Sequence, residues 1–264
     1  MPDAGCAAVM TLRVEVNGSG PDLVLLHGWG MNASLWADVA GGLAQRFRVH
    51  SVDLPGHGGS TTCTPYDLDA VTSMLAAALP PRATICGWSL GGQVALKWAH
   101  TQPGQVERLV LVASTPRFVR AAGWDCGMDS AVLDDFAQSL ARDWRTALRR
   151  FNTLQAQGDT RLRAVSQRLR GQLLAHGAPL PAALAAGLRI LRETDLRAVL
   201  PHIEQPVLIL HGEHDAVVPV AAGEYMQRTL PRAILEVYAG TAHAPLVAQP
   251  QRAAQRIMEF CRGA

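Results

Sequence analysis

The sequence predicts an α/β fold: a mostly parallel central sheet flanked by helices, with a helical block inserted between two strands. Three observations predict it. Short apolar runs alternate with helix-patterned segments through residues 1–115 and again through 201–264. Several of those runs, such as "LVLL" and "VLIL", have no alternating polar positions, as expected of strands buried on both faces. From Pro116 to about Leu200 the strand-like runs stop, and only helical patterns rich in Arg, Ala and Leu remain. A helical block inside an alternating rhythm reads as a cap, so the expected division is a core of 1–115 and 201–264 and a cap of 116–200.

The elements follow in order. "LRVEV" (12–16) alternates as a strand, and "DLVLLHG" (22–28) is a short apolar run ending in Gly. Residues 32–46 carry a helical pattern with Asn32 as its cap. "FRVHSVDLPGHG" is a strand running into a Pro/Gly turn. "DLDAVTSMLAAAL" is a helix with acids in its first turn, where the helix dipole favours them. Strand "ATICGW", helix 90–101 and strand "VERLVLVAS" come next. After Pro206 the rhythm resumes with strand "VLILHGEHD", helix 220–230, strand "ILEVYAG" and helix 249–262.

Composition excludes several classes. The chain has 264 residues, 48% of them hydrophobic and 17% charged, which suits one globular domain with a full core. A net charge of +2 is too small to argue for nucleic acid. The start, "MPDAGCAAVM", lacks the basic and apolar regions of a signal peptide, and no apolar run approaches the ~20 residues of a membrane span. Cys6, Cys63, Cys86, Cys126 and Cys261 are scattered, odd in number and free of C-x-x-C pairs, so neither a disulfide framework nor a zinc site is expected. A cytoplasmic monomer is expected, with no cofactor, because no Walker motif occurs and no G-x-G-x-x-G opens a helix after a strand.

The chemistry centres on Gly87-Trp88-Ser89-Leu90-Gly91, a G-x-S-x-G pattern with a strand before it and a helix after it. A tight strand-to-helix turn strains the central residue, and glycines on either side remove the clashes. Ser89 is the candidate nucleophile, and a hydroxyl needs a base. His243 follows the last strand in a carboxyl-end loop and is the candidate. His100 falls on a helix and is expected to face solvent. His211 and His214 have H-x-x-H spacing, but no further ligands accompany them and no metal is expected. Asp215, ending the strand before, is the candidate acid; Asp53 also ends a strand but precedes Ser89, against the order Ser–Asp–His of this architecture. The amides of Leu90 and Trp29 are the expected oxyanion donors.

The blocks "LLHGWGMN", "VDLPGHGGS", "GWSLGGQVAL", "HGEHDAVVP" and "AHAP" resemble the α/β-hydrolases from about residue 12 to the C-terminus. The segments "RRFNTLQAQGD" and "GLRILRETDLR" resemble, more narrowly, the pimeloyl-acyl-carrier-protein methyl ester carboxylesterases of biotin synthesis. That resemblance implies hydrolysis of a carrier-bound methyl ester at a site lined by Trp29, Ser89, Leu90, His243 and the cap segment Phe151, Asn152, Thr153, Leu154 and Gln155. Polar Asn152 and Thr153 stand where the family has more apolar residues. It also implies docking of acyl carrier protein: Arg150 and Arg163 match carrier-binding positions. Independently, residues 141–170 hold eight arginines against two aspartates, a cationic surface suited to an acidic partner, and Arg145 and Arg149 lie one helical turn apart. A general esterase for short acyl chains, or a non-catalytic ligand-binding protein of the same fold, would carry the same triad residues.

Overall fold

A computed structural model describes residues 11–262; the opening segment "MPDAGCAAVM", with Cys6, lies outside the described residues. The strands are β1 (Val14–Asn17), β2 (Asp22–Leu26), β3 (Arg48–Val52), β4 (Ala83–Trp88), β5 (Val106–Val112), β6 (Val207–Gly212) and β7 (Ala233–Tyr238). They form one sheet in the order β1-β3-β2-β4-β5-β6-β7. β1 runs antiparallel to β3, and every other pairing is parallel. The reversal of strand order at β2 and β4 puts the β4 end at the topological switch point, where α/β sheets open a crevice. Central strands β4 and β6 are buried at every residue, which explains their unbroken apolar runs. Edge strand β7 instead exposes Ile234 and Val237.

The helices of the sheet layers are α1 (Ala37–Leu43), α2 (Leu68–Ala78) and α3 (Leu90–Thr101). Between β5 and β6, neighbours in the sheet, the chain passes through α4 (Ser130–Arg142), α5 (Trp144–Ala156), α6 (Leu162–Gln172) and α7 (Pro181–Glu193). α8 (Val220–Thr229), α9 (Pro245–Ala248) and α10 (Pro250–Arg262) complete the chain. Local signals explain the starts: Asp67 accepts the Ala70 amide, Asp129 that of Ala131, and Asp143 those of Arg145 and Thr146. Among the described residues no helix is long and apolar enough to cross a membrane.

Two expectations need correction. The helical pattern over 32–46 is a 3-10 turn, Ala33–Trp36, followed by the short α1; Asn32 does cap it, accepting the Ser34 amide. Residues 117–128, read as helical, form an irregular loop with bridges Val119–Met128 and Ala121–Trp124, tied to the far side by Arg117–Asp195. Tertiary burial overrides local propensity there. Trp124 is almost wholly enclosed, its ring stacked edge-on against Tyr225 and its Nε1 donating to the Arg117 carbonyl (3.0 Å).

Candidate active site

Ser89 stands on the turn between β4 and α3 with φ 54° and ψ −115°. A non-glycine residue held there stores about 1–3 kcal/mol of strain, and the surroundings hold it in place. The Ser89 amide donates to the Val112 carbonyl (2.9 Å), and its own carbonyl accepts from Ser114 Oγ (2.9 Å) and the Gly92 amide (2.9 Å). The flanking glycines are sterically required. A β-carbon on Gly87 would overlap the Gly91 carbonyl, and one on Gly91 would lie 2.5 Å from the Leu26 carbonyl oxygen. The loop after β2 closes the other side: a β-carbon on Gly28 would come within 3.2 Å of Ser89 Cβ.

Asp215 and His243 meet across the ends of β6 and β7. His243 Nδ1 donates to Asp215 Oδ2 at 2.7 Å, while Asp215 Oδ1 accepts the amides of Val217 and Val218, both at 2.8 Å. The two loops pack so closely that a β-carbon on Gly212 would overlap the Ala242 carbonyl. The His243 backbone is pinned on two sides. Its amide donates to the Gln155 carbonyl (3.1 Å), and its carbonyl accepts from Trp88 Nε1 (2.8 Å). The Trp88 and His243 rings lie 5.3 Å apart, which brings the imidazole beside the serine turn. Among the described residues the buried His243 Nε2 has no hydrogen-bond partner, Ser89 included.

Among the described residues, the Trp29 and Leu90 amides have no acceptor. The Trp29 ring donates through Nε1 to the Leu184 carbonyl (2.8 Å) and meets Phe136 and Phe151 edge-on at 5.3 and 5.2 Å. Behind it lies an apolar cavity lined by Trp29, Phe136, Phe151, Leu154, Leu188 and Leu191. Phe151 and Leu154 thus reach the interior. Asn152 and Gln155 are buried, with Asn152 Oδ1 and Nδ2 and Gln155 Oε1 unpaired. Thr153 departs from the expected set: it is exposed, donates to the Arg149 carbonyl, and faces an outer groove between α4 and α5 that Arg150 also lines. The helical period turns it away from buried Asn152 and Gln155, while Phe151 and Leu154 border that groove as well as the interior cavity. Arg145, Arg149, Arg150 and Arg163 are all exposed, and none has an acidic partner within ion-pair distance among the described residues. Arg161 and Arg168, by contrast, donate to the carbonyls of Ala248 and Val247 and serve packing.

The supporting roles of three groups escaped the sequence reading. His211 is fully buried, donates to the Val218 carbonyl (2.8 Å), and lies 3.5 Å from Asp215 Oδ2. Burial pushes its pKa down, so it meets Asp215 as a neutral ring. His214 is half exposed and points elsewhere, so the H-x-x-H pair does not converge. Asp53 is structural: its carboxylate accepts the amides of Ala33 (2.7 Å) and Gly59 (3.0 Å) and an Arg13 nitrogen (3.3 Å). Burial opposes its ionisation, but the amide hydrogen bonds outweigh this and hold its carboxyl below the usual range. His27 donates through Nδ1 to the Gly28 carbonyl and accepts the Leu54 amide at Nε2 (2.9 Å), bracing the loop that carries Trp29.

Burial, helped by neighbouring His57, lowers the His27 pKa to about 3. The unfolded chain therefore takes up a proton near pH 6.5 that the folded chain refuses until about pH 3. Stability contributed by His27 is fully present above pH 6.5 and falls as pH drops through that window, by up to about 1.4 kcal/mol per pH unit. Unfolding by urea between pH 7 and pH 5 should show this slope, reduced by about one proton in His27→Asn; an unchanged slope would mean that the ring protonates in the fold.

A family model described as alpha/beta hydrolase fold matches residues 21–250. The pimeloyl-[acyl-carrier protein] methyl ester esterase of Nitrosomonas europaea is 48% identical over 92% of this chain and 96% of its own. The protein of that name from Chromobacterium violaceum is 43% identical over 92% of this chain and 94% of its own. Among solved structures, an esterase from Exiguobacterium antarcticum superposes with a TM-score of 0.87 at 25% identity, covering 96% of each chain. An esterase from a Rhodococcus species gives 0.80 at 31% identity, covering 96% of this chain and 95% of its own. With its strained serine turn, its buried Asp215–His243 pair and these likenesses along nearly its whole length, the chain belongs to the alpha/beta hydrolase family and, within it, to the family of its methyl ester esterase relatives.

Proposed function

We propose that this chain is a serine esterase that removes the methyl group from pimeloyl-acyl-carrier protein methyl ester, releasing methanol and the free ω-carboxylate. The observation that carries this reading is the 2.7 Å Asp215–His243 bond, which leaves a buried, unpaired Nε2 beside the turn that presents Ser89. In the proposed reaction Ser89 Oγ attacks the ester carbonyl as Nε2 takes its proton, and Asp215 stabilises the imidazolium. The Trp29 and Leu90 amides receive the oxyanion. His243 returns the proton to the departing methoxide, and water then opens the acyl-enzyme.

Helices α4–α7 act as the cap over this site, and the acyl chain lies along Trp29, Phe151 and Leu154. The unpaired arginines on α5 and α6 serve as the dock for acyl carrier protein, an acidic partner they would steer toward the site. One chain supplies every residue named, so a monomer suffices, and free thiols at Cys63, Cys86, Cys126 and Cys261 suit a reducing cytoplasm.

Changing Arg145, Arg150 and Arg163 together to Glu tests the dock. kcat/KM for the carrier-bound ester should fall about a hundredfold at low salt and less at high salt, while p-nitrophenyl butyrate turnover stays within about threefold. Equal losses on both substrates would make the arginines structural. The likeness to the Exiguobacterium and Rhodococcus esterases favours a second reading, a general short-chain esterase. Wild-type protein that turns over a free methyl ester as fast as the carrier-bound one would select it.

A further inference from the structure

α5 crosses the mouth of the site with two anchors. Toward one end Leu148 covers the oxyanion loop: a β-carbon on Gly30 would lie 3.3 Å from Leu148 Cδ2. Toward the other, the Gln155 carbonyl accepts the His243 amide. Positions 148, 152 and 155 fall on one stripe of an α-helix. Asn152 therefore lies between the anchors, over the space between the oxyanion loop and His243, where Ser89 stands. Asn152 is 0% exposed, and among the described residues neither Oδ1 nor Nδ2 has a partner. A buried carboxamide left unpaired is destabilising, so its place here needs an explanation in something that occupies the site transiently.

The second half of an esterase cycle supplies such an occupant. The water that opens the acyl-enzyme has two hydrogens. One goes to His243 Nε2 as the water oxygen bonds to the acyl carbon. The C–Oγ bond to Ser89 then breaks, His243 returns the proton to Oγ, and the acid leaves. The other hydrogen of that water needs an acceptor, and the cavity behind Trp29 is lined by apolar side chains. We propose that Asn152 Oδ1 accepts this second hydrogen and so orients the hydrolytic water. The assignment rests on the serine-esterase reading above. It has a consequence for product release: methanol, with a methyl group in place of the second hydrogen, gains nothing from Asn152. The carboxamide thus favours water over re-attack by the alcohol just released.

The test is the fate of the acyl-enzyme formed from p-nitrophenyl butyrate in water containing methanol, with butyrate and methyl butyrate both measured. In Asn152→Leu the ratio of methyl butyrate to butyrate should rise about tenfold. Deacylation should slow by a similar factor, and acylation, read from the p-nitrophenol burst, should fall less. Asn152→Ser, which keeps a small acceptor, should give an intermediate ratio and carries the test if the leucine variant does not fold. A ratio unchanged in the folded variants would overturn the proposal. So would a ratio raised by Gln155→Leu but not by Asn152→Leu, which would move the role to the other unpaired carboxamide. Ser89→Ala separates the two levels. Butyrate release that survives it would remove the esterase reading itself; release that depends on Ser89 with no change in ratio would remove only the role of Asn152.

Discussion

Replacing Ser89 with alanine is expected to lower kcat on p-nitrophenyl butyrate by about a millionfold, with little change in KM. The size follows from what the hydroxyl does. Without Oγ no covalent intermediate forms, so the activated leaving group, the buried Nε2 and the acyl pocket lose the step they serve. What remains is the modest acceleration due to binding and to the Trp29 and Leu90 amides. The substitution is also structurally mild. The strained backbone at φ 54° is held by the Val112, Ser114 and Gly92 bonds, all made through the main chain of residue 89. Alanine keeps them, so the melting temperature should move little. Steady-state rates with calorimetry, together with mass spectrometry of the butyryl-enzyme, check this. A variant retaining a tenth of the wild-type rate would refute the role of Ser89.

Asp215→Asn should cost about four orders of magnitude in kcat, following the pattern for triad aspartates. An asparagine oxygen can still accept the Val217 and Val218 amides, so the loop after β6 keeps its shape. The other carboxamide atom then becomes an NH2 facing His243 Nδ1. It favours the tautomer with its proton on Nε2, the wrong nitrogen for accepting the serine proton. It also removes the negative charge that stabilises the imidazolium. His211, 3.5 Å from Asp215 Oδ2, cannot compensate, because burial keeps it neutral and its Nε2 is committed to the Val218 carbonyl. Rates measured from pH 6 to 9 on protein shown to be folded check the size. A loss below tenfold would mean that another group orients His243.

The serine turn was legible because its requirement is local. Gly87 and Gly91 each relieve a clash with backbone a few residues away or with the adjacent strand, so the need is written at fixed spacing in the sequence. Asp215 and His243 were legible for a related reason: strand ends of a parallel sheet share one edge, and apolar runs mark those ends. The same logic nominated Trp29 and Leu90, whose amides have no acceptor among the described residues and serve as oxyanion donors in the proposed reaction. The loop at 117–128 was not legible, because burying Trp124 against Tyr225 depends on α8, a hundred residues further along the chain. Nor were the neutral histidines, whose protonation depends on burial. Asp53 resembled Asp215 in its strand-end setting and differs in what surrounds it: the Ala33 and Gly59 amides and Arg13 donate to its carboxylate, and the imidazole that meets it, His176 at 3.2 Å, comes from the segment between α6 and α7 rather than from the loop after the last strand.

The amino-acid sequence by itself determined the alternation of strands and helices and the glycine-flanked turn that strains Ser89. It also determined the chain order in which Asp215 and His243, the proposed acid and base, follow that serine. These rest on short-range sterics and on hydrophobic periodicity, which act between residues near in sequence. Only the tertiary structure decided that Thr153 faces the outer groove while Asn152 is enclosed with both amide atoms unpaired. It alone decided that Arg161 and Arg168 bind carbonyls while Arg150 and Arg163 have no acidic partner among the described residues. Burial and hydrogen-bond partnership belong to the packing of elements far apart in the chain, and identical residue types a few positions apart meet different surroundings there.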